Sequence, residues 1–316
     1  MQGAVRARGG ACKRRCVRAA VRHSGQVKVE VEGRRLDLSN LEKPLYPDGF
    51  TKAEVIDYYT RVAPVILPHL ADRRLTRVRF PHGASEAGPE GGFFEKNAPG
   101  ATPAWVRVDE GMVVAEERAT LVWLANLAAL ELHTPQWRIG RDPDRIVFDL
   151  DPGEPAGLDE CRAVAQVLRD RLAEDGLTAF AKTSGRKGMQ VTCAVTATAD
   201  AVNDYARAIA EEFARAAPQI VTDTMAKPAR RGKVFIDWSQ NNTFKTTVCV
   251  YSLRANLSPT VSAPLTWDEV ADGSLSAADL TPDVVLSRID AYADLHAPLL
   301  KPGPTLPSTP KRRRRS

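Results

Sequence analysis

From Arg145 to Asp237 the sequence alternates apolar runs of strand length with amphipathic runs of helix length. RIVFDLD reads as a strand, followed by an amphipathic helix over about 157–174, a strand and turn at FAKTSGRKGMQ, and a further strand. A helix over about 200–216 and the strand KVFID complete the series. Each such element has one apolar face that only another layer can cover, so the expected fold class is α/β (α+β).

The N-terminal half extends the same body. VKVEV alternates from Val27 like a half-buried strand, and Thr51 with Glu54 three residues later forms a capping-box pattern that predicts a helix over about 52–62. A strand at LTRVRF, a Gly-rich loop over 83–92 and the segment FFEKNAP follow. LVWLANLAALELH is apolar on nearly every face, which predicts a buried helix ending at His133 before Pro135. The expected organisation is a basic leader over 1–26, one folded domain over 27–300, and a Pro/Ser-rich, then basic tail over 301–316.

A sequence pI near 9.0 suggests a basic surface, but the charge is concentrated at the ends. Residues 1–25 hold seven Lys/Arg and residues 309–316 hold five, with no acid in either stretch. Removing those twelve from the 44 basic residues leaves 32 against 39 acidic, so residues 26–308 carry a formal charge near −7. Any contact between this body and nucleic acid must come from local patches, with the tails adding salt-sensitive attraction. The five cysteines, Cys12, Cys16, Cys161, Cys193 and Cys249, are an odd number without zinc-site spacing, and read as separate reduced thiols. No apolar run approaches the ~20 residues of a membrane span and no secretory signal is present, so the expected location is the cytoplasm, at the nucleoid.

The chemistry lies at strand ends. Side chains two apart on a strand share a face, so RIVFDLD delivers Asp149 and Asp151 side by side. Two close carboxylates repel unless a hard cation such as Mg²⁺ or Mn²⁺ sits between them. KVFID ends in Asp237, a third carboxylate if the two strands are neighbours, and three carboxylates suit two-metal phosphoryl transfer. The turn Lys182-Thr-Ser184-Gly-Arg186-Lys187-Gly188 offers backbone NH groups, a hydroxyl and cations to a triphosphate, without Walker A spacing. Taken singly, each motif also reads blandly: turn acids broken by Asp-Pro-Gly, and an ordinary basic hairpin turn.

Taken in order, the motifs LSNLEKPLYPDGFTK, DYYTRVAPVILPHL, FFEKNAP, LVWLANLAALELH, VFDLDPG, KTSGRKG and KVFIDWSQNNTFKTTVCVYSLRA resemble the polymerase domain of bacterial ligase D and its stand-alone actinobacterial relatives. These belong to the archaeo-eukaryotic primase superfamily, and the similarity runs from about Leu38 to Val270. The resemblance implies a primase-polymerase catalytic core of mixed, largely antiparallel sheets flanked by helices, and template-dependent DNA or RNA synthesis at short gaps or break ends, in end joining or excision-type repair. It implies two Mn²⁺ or Mg²⁺ ions on Asp149, Asp151 and Asp237. His133, Ser184, Lys187, Arg230, Gln240 and Arg254 match positions that hold the sugar and triphosphate of an incoming NTP or dNTP. Phe93 and Phe94 match aromatic residues near the template, and Lys43 and Lys52 match lysines that bind the 5′ phosphate across a gap. Consecutive aromatics on a strand face opposite ways, so one of the two phenylalanines is expected to stay exposed even if the other is core.

The family pattern often has histidine where this chain has Gln190, which hydrogen-bonds but carries no charge near pH 7, so altered nucleotide handling is expected. The adenylating KxDG motif of a ligase is absent from the chain. The expected partners are therefore gapped or broken duplex DNA with a 5′ phosphate, a separate ATP-dependent ligase and a Ku-type end-binding protein, the chain itself acting as a monomer. Two alternatives stand beside this reading. VFDLDPG superficially resembles a phosphatase aspartyl-phosphate loop, although Gly153 stands where those need Thr or Val. A catalytically weak DNA-end-binding and bridging protein would retain the tails and lose the chemistry.

Overall fold

The computed structural model describes residues 18–23, 26–84, 91–307 and 310. Its centre is a six-stranded sheet in the order Val221–Thr222, Val234–Asp237, Arg145–Pro152, Met189–Ala194, Ala179–Thr183, Pro264–Leu265. All neighbours are antiparallel except the first pair. A four-stranded antiparallel sheet runs Thr247–Val248, Ala129–Thr134, Thr76–Arg79, Phe93–Glu95. Arg18–His23, Gln26–Val31 and Arg34–Ser39 form a third, antiparallel sheet. The mixed, largely antiparallel fold class read from the sequence is the one observed.

Alternation along Arg145–Pro152 explains why this strand serves both core and site. Ile146, Phe148 and Leu150 are completely buried on one face, and the helices Leu158–Glu174 and Ala199–Ala216 pack against this strand. The alternate positions, Asp149 and Asp151, project to the other face.

Two helix expectations change. The helix capped by Thr51, with Glu54 closing the capping box, runs to Leu70 rather than ending near residue 62. It passes through Pro64 and Pro68, each costing about 3 kcal/mol in a helix interior. Burial of Val55, Ile56, Val62, Ala63 and Ile66 offsets that cost, as do hydrogen bonds from the Tyr58 and Tyr59 hydroxyls to the Tyr251 and Leu130 carbonyls, both at 2.7 Å. The second correction concerns His133. The apolar run is a helix only over Arg118–Asn126; Ala128 takes a positive φ of 58°, and Ala129–Thr134 is a strand. A run apolar on all faces fits a buried helix and a buried strand equally, and pairing with Thr76–Arg79 decides it. His133 is thus a strand residue, not a helix end.

The chain ends also differ from expectation where they are described. Arg18–His23, within the stretch read as leader, has strand backbone. Part of the stretch read as tail is docked: Thr196 N–H donates to Pro304 O and its hydroxyl to Gly303 O, both at 2.9 Å, and Leu306 is buried. A Cβ on Gly303 would lie 2.1 Å from the Ala194 backbone, so only glycine allows this approach. Residues 1–17, 85–90 and 311–316, with Cys12, Cys16 and most of the Gly-rich loop, lie outside the described residues. Cys161, Cys193 and Cys249 are free thiols, as read.

Candidate active site

Strand register assembles the site. Asp237 lies directly opposite Asp149, Gln190 opposite Asp149 on the other side, and Lys182 opposite Gln190. Directly opposed residues of antiparallel strands share a face, so Lys182, Gln190, Asp149 and Asp237 form one row across four strands, with Asp151 beside it. Gly153 lets the chain turn away immediately beyond: a Cβ there would sit 2.0 Å from Arg230 O.

The row is electrostatically tense. Burial, then Asp151, pushes the Asp149 carboxyl up; burial, then Asp237, does the same for Asp151. Gln190 Nε2 donates to Asp149 Oδ1 at 3.0 Å. Lys182 is buried, its amine donates to Ser262 Oγ at 2.6 Å, and its charge opposes the rise at Asp149. Asp237 is engaged on both oxygens: Oδ1 accepts from Ser239 N and Oγ, and Oδ2 from Gln240 Nε2 at 2.7 Å. Among the described residues no three His, Cys, Asp or Glu side chains already converge as an ion cage. The donor set nevertheless fits a hard divalent cation, because it offers carboxylate oxygens crowded on one face.

Asp149 and Asp151 face a cleft of about 510 Å³ between the two larger sheets. Its walls carry Asp149, Asp151, His133, Ser184, Lys187, Arg230, Gln240 and Arg254, with Phe94 at one side. Asp237 reaches it through Gln240. Ser184 Oγ accepts from the backbone NH groups of Arg186 and Gly188 at 3.2 and 3.3 Å, fixing the turn. Lys187 pairs with Glu154, but both side chains are more than 70% exposed, so this pair holds the lysine only weakly. Arg230 stacks on Phe235 with its guanidinium carbon 3.8 Å from the ring centroid.

Lys43, Lys52 and Phe93 are not on the cleft wall. The two lysines sit side by side, Lys52 N–H donating to Lys43 O at 2.9 Å, and their amines donate to Pro81 O and Ser39 O. Burial, then Lys43 and Arg79, brings the Lys52 amine down to about 8, so the pair with Arg79 is a separate cationic spot. Phe93 and Phe94 are both exposed, because the three-residue strand Phe93–Glu95 is a sheet edge covered on neither face. Phe94 meets His133 edge-on at 5.9 Å between centroids.

Three residues that sequence reasoning passed over belong here. Lys182 was treated only as part of a turn. Phe244, 86% exposed, stands two residues before Thr246 of the cleft wall. Glu131 lies beneath the cleft, and the period-2 spacing Glu131–His133 would have marked it had the run been read as a strand.

The profile of the family described as LigD, primase-polymerase domain, matches residues 51–296. The chain belongs to the LigD primase-polymerase family. It is 43% identical over 283 residues to the multifunctional non-homologous end joining protein LigD of Mycolicibacterium smegmatis, covering 84% of this chain and 36% of that protein. The bifunctional LigD of Bacillus subtilis is 36% identical, with 85% and 44% covered. The chain thus spans little more than a third of the length of the mycobacterial relatives. Among solved structures, the polymerase domain of Mycobacterium tuberculosis ligase D in complex with DNA superposes with a TM-score of 0.78 at 40% identity, covering 85% of this chain and 99% of that one. The matched stretch thus corresponds in extent to the polymerase domain of ligase D. No helix among the described residues is long and apolar enough to cross a membrane.

Proposed function

We propose that this module extends a primer strand across short gaps or break ends by nucleotidyl transfer at the Asp149–Asp151–Asp237 cluster. The observation that carries the proposal is that Asp149 and Asp151 line a cleft whose walls also bear Lys187, Arg230 and Arg254, with Asp237 in register opposite Asp149. Carboxylates and cations so arranged meet the opposite needs of one substrate, a metal-bound triphosphate.

The three aspartates would hold two divalent ions, Mn²⁺ or Mg²⁺. Such ions supply positive charge to the attacking hydroxyl and the pyrophosphate leaving group. The chain's own residues position the substrate. The NH-rich turn after Thr183, with Ser184 and Lys187, suits the phosphates, and Arg230 and Arg254 add charge to that wall. His133 and Gln240 offer polar contacts to sugar and phosphate. Phe94, exposed at the side of the cleft, and Phe93, exposed on the same edge strand, offer stacking surfaces to template bases of any sequence. The Lys43–Lys52 spot would take the 5′ phosphate on the far side of a gap. Partners on this reading are gapped or broken duplex DNA, NTP or dNTP, a separate ATP-dependent ligase and a Ku-type end-binding protein.

The deciding experiment offers the protein a primer-template with a short gap and a downstream 5′ phosphate, in Mn²⁺, with ribo- and deoxyribonucleotides in turn. Extension by a few nucleotides that disappears in Asp151→Ala supports the proposal; undiminished extension by that variant removes it. End binding unaffected by the substitution, without incorporation by the wild type, would favour the bridging alternative.

A further inference from the structure

Glu131 is 1% exposed, a carboxylate buried under the nucleotide wall of the cleft. Its Oε1 accepts from Arg186 Nη2 at 2.5 Å and from Ala255 N–H at 3.1 Å, and lies 3.5 Å from Arg254 Nε. Its Oε2 lies 3.0 Å from His133 Nε2. Burial raises its affinity for a proton, but Arg254, His133 and Arg186 together hold the carboxyl down to about 2, so it is ionised at neutral pH.

An ionised carboxylate only accepts hydrogen bonds, so the His133 nitrogen facing it must carry the proton. Burial, reinforced by Arg254 and Lys182, holds His133 below its ordinary range despite Glu131, so the ring is neutral and has one N–H. Nδ1 is then an unprotonated acceptor. It makes no hydrogen bond among the described residues and is not sealed away from solvent, and the ring lines the cleft.

We propose that Glu131 is a positioning residue of the nucleotide site: it locks His133 in the Nε2–H tautomer, so that Nδ1 accepts a hydrogen bond from a sugar hydroxyl of the incoming nucleotide, while it braces Arg186 and Arg254. This rests on the polymerase reading above and assigns to Glu131 a task no other carboxylate there can perform. Asp149 and Asp151 serve the opposite side of the cleft.

Glu131→Gln tests it by an enforced geometry. Oε1 faces only donors, so the glutamine oxygen must occupy that position and its NH₂ must face His133 Nε2. The ring then has to accept at Nε2 and carry its proton on Nδ1, turning an acceptor into a donor.

The ¹⁵N spectrum of the imidazoles, with His133 assigned by its loss in His133→Asn, is expected to show the Nε2–H tautomer in the wild type and Nδ1–H in Glu131→Gln. Equilibrium binding to gapped DNA with Mn²⁺ is expected to weaken about tenfold for a ribonucleoside triphosphate in the variant. Analogues lacking the 2′ or the 3′ hydroxyl identify the hydroxyl concerned, since the one missing it is insensitive to the substitution. Inorganic tripolyphosphate is expected to bind the variant no more weakly, because a negative charge has been removed beside two guanidiniums. Three results would each overturn the proposal: a wild-type ring protonated on Nδ1, unchanged ribonucleotide affinity in the variant, or parallel loss of tripolyphosphate affinity, which marks a merely structural role. A wild-type protein that extends no primer would defeat the polymerase reading instead, and the wild-type imidazole spectrum would still decide the tautomer.

Discussion

Gln190 Nε2 donates to Asp149 Oδ1 at 3.0 Å, while its own Oε1 is buried and has no hydrogen-bond partner among the described residues. The residue expected to alter nucleotide handling therefore acts first on a carboxylate of the floor. Substituting Gln190→His should install a group that charges below about pH 6.5 against that carboxylate. The ratio of Gln190→His to wild-type extension rates is predicted to change across pH 6–8. A ratio constant over that range would disprove a direct electrostatic link to Asp149.

The crowded carboxylates predict a trade between stability and metal binding. Because Asp149 and Asp151 are raised, the folded state holds their protons more tightly than the unfolded chain, so their contribution becomes destabilising as pH climbs above the ordinary carboxylate range. In metal-free buffer at pH 7.5, Asp149→Asn is predicted to melt above the wild type. Mn²⁺ at a hundredfold its Kd should stabilise the wild type by about 2.7 kcal/mol, and Asp149→Asn should lose most of that rise in Tm. Calorimetry with and without EDTA reads both effects.

Lys43 and Lys52 form a spot apart from the cleft, so their removal should separate gap recognition from chemistry. Lys43→Ala with Lys52→Ala is predicted to abolish the advantage of a 5′-phosphorylated gap over an unphosphorylated one, with extension on the latter unchanged. The salt dependence of binding to the phosphorylated gap should flatten by about one to two units of slope. Equal losses on both substrates would place the lysines in a general structural role.

Asp144 holds Arg73, Arg138 and Arg145 at once. Burial opposes its ionisation, but Arg145 and Arg73 bring its carboxyl down to about 2, below the ordinary 3.8. The stabilisation is complete above about pH 4 and is lost as pH falls towards 2, worth about 2 kcal/mol. Asp144→Asn should flatten that acid limb in urea melts at pH 2–5 and cost about 3 kcal/mol at pH 7, since the fully buried Arg73 then lacks a counter-charge.

The readable parts of the molecule were those governed by local periodicity. Asp149 and Asp151 share a face because a strand has period two, and the Thr51–Glu54 capping box marks its helix start within a residue. Non-local facts were hidden. That Asp237 stands opposite Asp149 depends on which strands are neighbours, which no spacing states. The persistence of a helix through Pro64 and Pro68 depends on the carbonyls of Tyr251 and Leu130, far away in sequence. The missed role of Glu131 has one cause, a strand read as the end of a helix, and that single error of period also misplaced His133.

The docking of residues 303–306 against Thr196 bears on how the module can be tethered. Met189–Ala194 begins next to the Ser184–Gly188 turn of the cleft and ends beside this docking point, about 17 Å away along the strand. An attachment made at residue 307 would therefore sit a strand length away from the turn that lines the cleft.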